Sequence, residues 1–124
     1  MTLFKIELQK LPCSNDAFTI YHAQGKLSIE TVNEFVQTLR PEPSAGLVLD
    51  MSGVNFLDSA GVGSLVSLFV TRRNQGKSFA LAGLMPQSSA VVAVAGLQKL
   101  LPIYKTTEEA IAGKPYARAN PSGK

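Results

Sequence analysis

The sequence predicts an α/β domain: a mixed β-sheet opened by an N-terminal hairpin and continued by alternating helices and strands, with the helices packed on the sheet. Three observations carry this. Two early segments alternate apolar and polar residues with a period of two and are separated by turn residues. After them, segments with helical spacing alternate with short apolar runs, the pattern of parallel strands joined by crossover helices. The chain has 124 residues with 45% hydrophobic composition, enough for one domain with a real core and too much for a disordered chain.

Residues 3–8 set Leu3, Lys5 and Glu7 against Phe4, Ile6 and Leu8, which predicts a half-buried strand. Pro12-Cys13-Ser14-Asn15-Asp16 is turn-rich. Residues 18–23, Phe-Thr-Ile-Tyr-His-Ala, read as a second strand that Gly25 ends. Ser28 reads as a helix N-cap, and Ile29, Val32, Phe35, Val36 and Leu39 fall on one face of a helix over roughly 28–40, stopped by Pro41 and Pro43. Leu47-Val48-Leu49 is a buried central strand ending in Asp50. A second helix is predicted over 60–74, with Arg72 and Arg73 in the last turn where the helix dipole favours cations. Residues 78–82 form a fourth strand. Pro86 opens a third helix over 87–95 that Gly96 closes. Ile103-Tyr104 is a short fifth strand, and 107–111 begin a final helix. Residues 114–124 carry Pro, Gly and polar residues without apolar period, predicting a flexible basic tail after a domain of residues 1–113.

Composition excludes several function classes. Twelve bases against nine acids give a formal charge of +3, but Lys114, Arg118 and Lys124 sit in the tail, so residues 1–113 are formally neutral. With no Trp and 7% aromatics, a stacking platform for nucleic acid is not expected. One cysteine, Cys13, and one histidine, His22, exclude an internal disulfide framework and a His- or Cys-rich metal site. The longest apolar run, residues 90–96, is far short of the ~20 residues a membrane span needs. The N-terminus lacks a secretory pattern, so a cytoplasmic location is expected, and no cofactor is called for.

The most unusual stretch is 50–63, Asp-Met-Ser-Gly-Val-Asn-Phe-Leu-Asp-Ser-Ala-Gly-Val-Gly, leading from the central strand to the second helix. Ligand crevices lie at such strand ends. Asp58 or Ser59 is the expected N-cap, accepting a free first-turn N–H. Gly61 and Gly63 leave the first turn bare, so that a partner's backbone approaches. A phosphate on Ser59 would meet free N–H groups and the positive end of the helix dipole, although a plain capped helix start uses the same residues.

Asp58-Ser59-Ala60-Gly61, preceded by Leu47-Val48-Leu49-Asp50 and Val54, resembles the signature of the STAS domain, and within it the bacterial anti-sigma factor antagonists. Gly25-Lys26-Leu27, Gly76 with the strand at 78–82, Gly96-Leu97 near Ile103, and Glu108-Glu109-Ala110 extend the likeness over about residues 3–112. The resemblance implies a non-enzymatic regulator that binds a kinase-type anti-sigma factor and is switched off when that serine kinase phosphorylates Ser59. A serine phosphatase resets it. Asp58, Ser59, Ala60, Gly61 and Gly63 are the implied partner-binding residues, with Asp58 tuning Ser59. A second implied role is an accessory subunit bound to a transporter ATPase.

Other constellations are weaker. Asp50 sits where receiver domains carry a phosphoacceptor aspartate, but Glu7 and Asp16 do not form the adjacent acidic pair that holds magnesium; Asp50 is expected instead to hold amides of a Ser52-Gly53 turn. Ser59, His22 and Asp58 do not match a nucleophile elbow, because Leu57 replaces its first glycine. No Gly-x-x-x-x-Gly-Lys-Ser/Thr loop accompanies Gly61 and Gly63. Arg72, Arg73 and Lys77 read as a solvated helix end. Val91, Val92, Val94 and Leu97 read as core, or as the apolar part of a docking surface where exposed beside Ser59.

Overall fold

The structure is a computed structural model and describes residues 5–113; the predicted tail and residues 1–4 lie outside the described residues. The order is β1 (Ile6–Leu11), β2 (Phe18–Leu27), α1 (Val32–Leu39), β3 (Gly46–Leu57), α2 (Ser59–Asn74), β4 (Ser78–Ala82), α3 (Pro86–Val94), β5 (Ile103–Tyr104) and α4 (Thr107–Ile111). This is the predicted succession. The strands lie in sequence order, β1-β2-β3-β4-β5. β1 runs antiparallel to β2, and every later neighbour is parallel, joined through a helix.

The two faces of the sheet are buried unequally. Leu47, Leu49 and Met51 of β3 point into the main core with Phe35 and Leu39 of α1, Leu65 and Leu68 of α2, and Val92 of α3. Val48 points the other way, with Ile20, Ala80, Ala82 and Ala110 of α4, into a smaller cluster. The apolar run 47–49 is therefore buried on both sides, as its lack of alternation implies.

Four boundaries differ from expectation, each for a local reason. The first strand runs to Leu11, pairing Leu11 with Ile20. The second does not stop at Gly25: that residue takes φ 112 inside the strand, where any side chain would overlap the Lys5 carbonyl, and β2 continues to Leu27. The third runs on past Asp50 for seven residues. Register shifts after His22 and Gly25 let β2 accompany it, ending with Leu27 opposite Leu57. Ser52-Gly53 is thus a bulge and not a turn. A Cβ on Gly53 would lie 2.7 Å from the Ala23 oxygen, so the glycine permits close strand approach.

The first helix begins four residues later than predicted. The Thr31 hydroxyl accepts the Ser28 N–H at 3.0 Å and donates to the Lys26 carbonyl at 2.8 Å, holding 28–31 as a turn. Thr31, not Ser28, is the N-cap, and Ile29 falls outside the helix with 66% exposure.

Arg72 also departs from expectation. It is 1% exposed and not solvated. Its guanidinium donates to the carbonyls of Ser78 at 2.8 Å, Glu42 at 3.0 Å and Ser44 at 2.6 Å, pinning the α1–β3 loop to the start of β4. Desolvation lowers its pKa, opposed by the nearby Glu42 carboxylate.

Candidate functional site

The site grows from the end of β3. Asp58 leaves the strand with extended backbone and caps α2: Oδ1 accepts the Gly61 N–H at 2.9 Å. Its other oxygen, Oδ2, accepts the Ile29 N–H at 3.1 Å, so one carboxylate ties the turn before α1 to the start of α2. The Asp58 N–H donates to the Leu27 carbonyl at 3.3 Å. Of the two predicted caps, Asp58 takes the role. Ser59 becomes the first residue of the helix, with its side chain exposed.

The three small residues after Ser59 do different work from one another. Ala60 is half-buried. Gly61 is buried, and a methyl there would overlap the Leu27 carbonyl and sit 2.6 Å from Leu57 Cδ1. Its missing side chain serves the packing of α2 on the sheet, which corrects the expectation that it clears space for a partner. Gly63 is exposed with nothing within 4 Å of a built Cβ, so it does leave open space.

That space belongs to an apolar groove of about 660 Å³ between α2 and α3, lined by Ser59, Val62, Gly63, Val66, Ala90, Val91, Val94, Ala95 and Leu97. None of these carries charge. Val94 is 89% exposed, while Val91 and Leu97 are half-buried; only Val92 of the predicted apolar set is core. Ile29 and Met85, at 44% exposure, add apolar surface on the segments entering α1 and α3. The groove is thus a charge-free apolar surface with the Ser59 residue in its wall.

Two residues near this end escaped sequence reasoning. Gln87 is the clearest: its Oε1 accepts the Leu57 N–H at 2.9 Å and its Nε2 donates to the Leu57 carbonyl at 3.0 Å. Nothing in a lone glutamine after a proline signals that contact. Ile29 has helical spacing in the sequence but lies in the turn before α1.

The other candidates disperse. His22 Nδ1 lies 3.0 Å from Asp50 Oδ2, across the β2–β3 pairing, so His22 is not with Ser59. Asp50 does accept the Ser52 N–H at 3.0 Å, within the strand. Burial opposes ionisation of Asp50, but the Ser52 N–H and His22 outweigh it and hold its carboxyl below the usual range. Among the described residues no cluster of three or more His, Cys, Asp or Glu is placed to hold a metal, and no helix is long and apolar enough to cross a membrane.

The chain is similar to known proteins in sequence family and in fold. The family model of the STAS domain matches residues 10–110. An anti-sigma factor antagonist from Mycobacterium paratuberculosis superposes with a TM-score of 0.74 at 22% identity, covering 87% of this chain and 92% of that one. The anti-sigma factor antagonist SpoIIAA in its unphosphorylated form gives 0.69 at 18% identity, covering 85% and 93%. A sulfate transporter family protein from Wolinella succinogenes gives 0.71 at 17% identity, covering 82% and 87%. At these identities the superpositions establish a common fold.

Proposed function

The chain belongs to the STAS domain family, and on that premise we propose that it is an anti-sigma factor antagonist: a non-enzymatic regulator that docks a kinase-type anti-sigma factor when Ser59 is free and releases it when Ser59 is phosphorylated. The observation that carries this reading is the exposed Ser59 hydroxyl at the first position of α2, in the wall of an apolar groove without charge.

The physical logic follows from that placement. A phosphoryl group adds about −1.5 to −2 charge at pH 7. At the N-terminus of α2 the dipole and the free first-turn N–H groups tolerate it, so the domain stays folded. Docking a partner over the groove would strip water from the dianion. The lining offers no cation to compensate, and Asp58 adds a like charge beside it. An uncompensated buried charge costs several kcal/mol, so the switch works by blocking an interface and leaves the fold nearly unchanged. Asp58 keeps α2 and the Ile29 turn in place, Ala60 and Gly63 border the docking surface, and Gly61 lets α2 approach the sheet. A serine phosphatase closes the cycle. The unit responsible is residues 1–113, with the ATP-dependent kinase setting a cytoplasmic location.

The likeness to a sulfate transporter family protein supports a second reading, a subunit that docks on a transporter assembly through the same groove. Incubation with a kinase-type anti-sigma factor and ATP, followed by mass spectrometry, separates them. The antagonist reading expects phosphate on Ser59. Phosphate on another residue, or none, contradicts it.

A further inference from the structure

β4 pairs with β3 only as far as Ala82 opposite Asp50, yet β3 continues to Leu57. At Leu57, β2 supplies the neighbour on one side. On the other side the Gln87 side chain stands in for a strand, accepting the Leu57 N–H at 2.9 Å and donating to its carbonyl at 3.0 Å. Leu57 is 1% exposed and directly precedes Asp58 and Ser59, while Gln87 lies in the first turn of α3, the helix that forms the facing wall of the groove.

We propose that Gln87 is a positioning residue for the Ser59 site: its amide clamps the last residue of β3, fixes the direction in which Asp58 and Ser59 leave the sheet, and locks the α3 wall at a set distance from the serine. It acts through Leu57 without touching the hydroxyl. The consequence for phosphorylation rests on the antagonist reading; the clamp itself does not. Only a group that both donates and accepts fulfils it. A carboxylate at this position accepts the N–H but opposes the carbonyl oxygen, whereas a protonated carboxyl reproduces both bonds.

Gln87→Glu therefore carries its own rescue. Its neutral form is the bonded one, so the clamp is present at low pH and lost as pH rises. The test follows amide chemical shifts and hydrogen exchange at Leu57, Ser59, Ala60 and Gly61 in the free chain at about pH 4 and about pH 8, against the unaltered chain at each pH. Gln87→Glu is expected to match the unaltered chain at the lower pH. At the higher pH its Leu57 amide should exchange about tenfold faster, with shifts reaching Ser59. Gln87→Ala should differ at both. Differences in Gln87→Glu that ignore pH, or unchanged Leu57 exchange in Gln87→Ala, overturn the proposal.

Phosphorylation by a kinase-type anti-sigma factor and ATP at the higher pH supplies the functional arm, with both variants expected to lose about tenfold in kcat/KM. Variants phosphorylated at the unaltered rate overturn the positioning role while leaving the antagonist reading intact. An unaltered chain that is never phosphorylated, combined with the pH-dependent shifts, removes the antagonist reading and sustains the clamp.

Discussion

Two glycines two residues apart in α2 should respond to the same substitution with opposite signs. Glycine inside a helix is less favourable than alanine by about 1 kcal/mol, so Gly→Ala begins with that gain at either position. At Gly63 nothing lies within 4 Å of the added Cβ, and the gain survives. Gly63→Ala should stabilise the domain by about 0.5–1 kcal/mol. At Gly61 the Cβ overlaps the Leu27 carbonyl oxygen and lies 2.6 Å from Leu57 Cδ1. The carbonyl belongs to the end of β2 and accepts the Asp58 N–H, so it cannot yield without moving the strand or the cap. Overpacking of this kind costs about 1–3 kcal/mol, which exceeds the helix gain. Gly61→Ala should destabilise by up to about 2 kcal/mol net, because the overlap with a fixed backbone oxygen puts the cost at the upper end of that range. Urea unfolding with unchanged slope reads both as midpoint shifts. Gly63→Ala also places a methyl in the groove, so it should weaken docking of an anti-sigma factor while raising stability. Midpoints that move in the same direction would refute the packing argument.

Further outcomes follow from the buried polar groups. Arg72→Met removes the donor to three carbonyls and should cost about 3 kcal/mol or more by urea unfolding, at about 1 kcal/mol or more for each acceptor left unsatisfied; a loss under about 1 kcal/mol contradicts the clamp between the α1–β3 loop and β4. Ser88 is fully buried, and its hydroxyl has no hydrogen-bond partner among the described residues, so Ser88→Ala should be neutral or stabilising by up to about 1 kcal/mol. Asp50 has a carboxyl held below its ordinary range. Its contribution to stability is therefore present above the unfolded-state pKa and lost as pH falls through the lower folded-state value. Asp50→Asn should flatten the acid limb of the stability profile, and an unchanged limb contradicts the stabilisation of the Asp50 carboxylate by the Ser52 N–H and His22.

The succession of elements was legible because it rests on apolar period, and a cap at Asp58 or Ser59 follows from the residue types at a strand–helix junction; the Gly61 N–H and Ile29 N–H contacts of Asp58 decide between the two. What escaped was set by contacts between distant segments. The helix spacing of Ile29 is real, but the Thr31 hydroxyl holds the chain in a turn, so Ile29 meets the Asp58 carboxylate through its backbone. Ser52-Gly53 has turn chemistry, yet β2 runs alongside and converts it to a bulge. Gly61 and Gly63 are indistinguishable in the sequence; only the position of Leu27 tells packing from open space. Arg72 sits where the helix dipole favours a cation, and nothing local announces the carbonyls of Glu42 and Ser44, 30 and 28 residues away.

The central claim is that one phosphate on Ser59 closes a docking surface without changing the fold. Calorimetric titration of a kinase-type anti-sigma factor with the unmodified and the Ser59-phosphorylated chain measures it directly, with unfolding midpoints taken on both. The account predicts affinity lower by roughly a hundredfold for the phosphorylated chain at nearly equal stability, and Ser59→Ala binding like the unmodified form. Equal affinities for the two chains would contradict it.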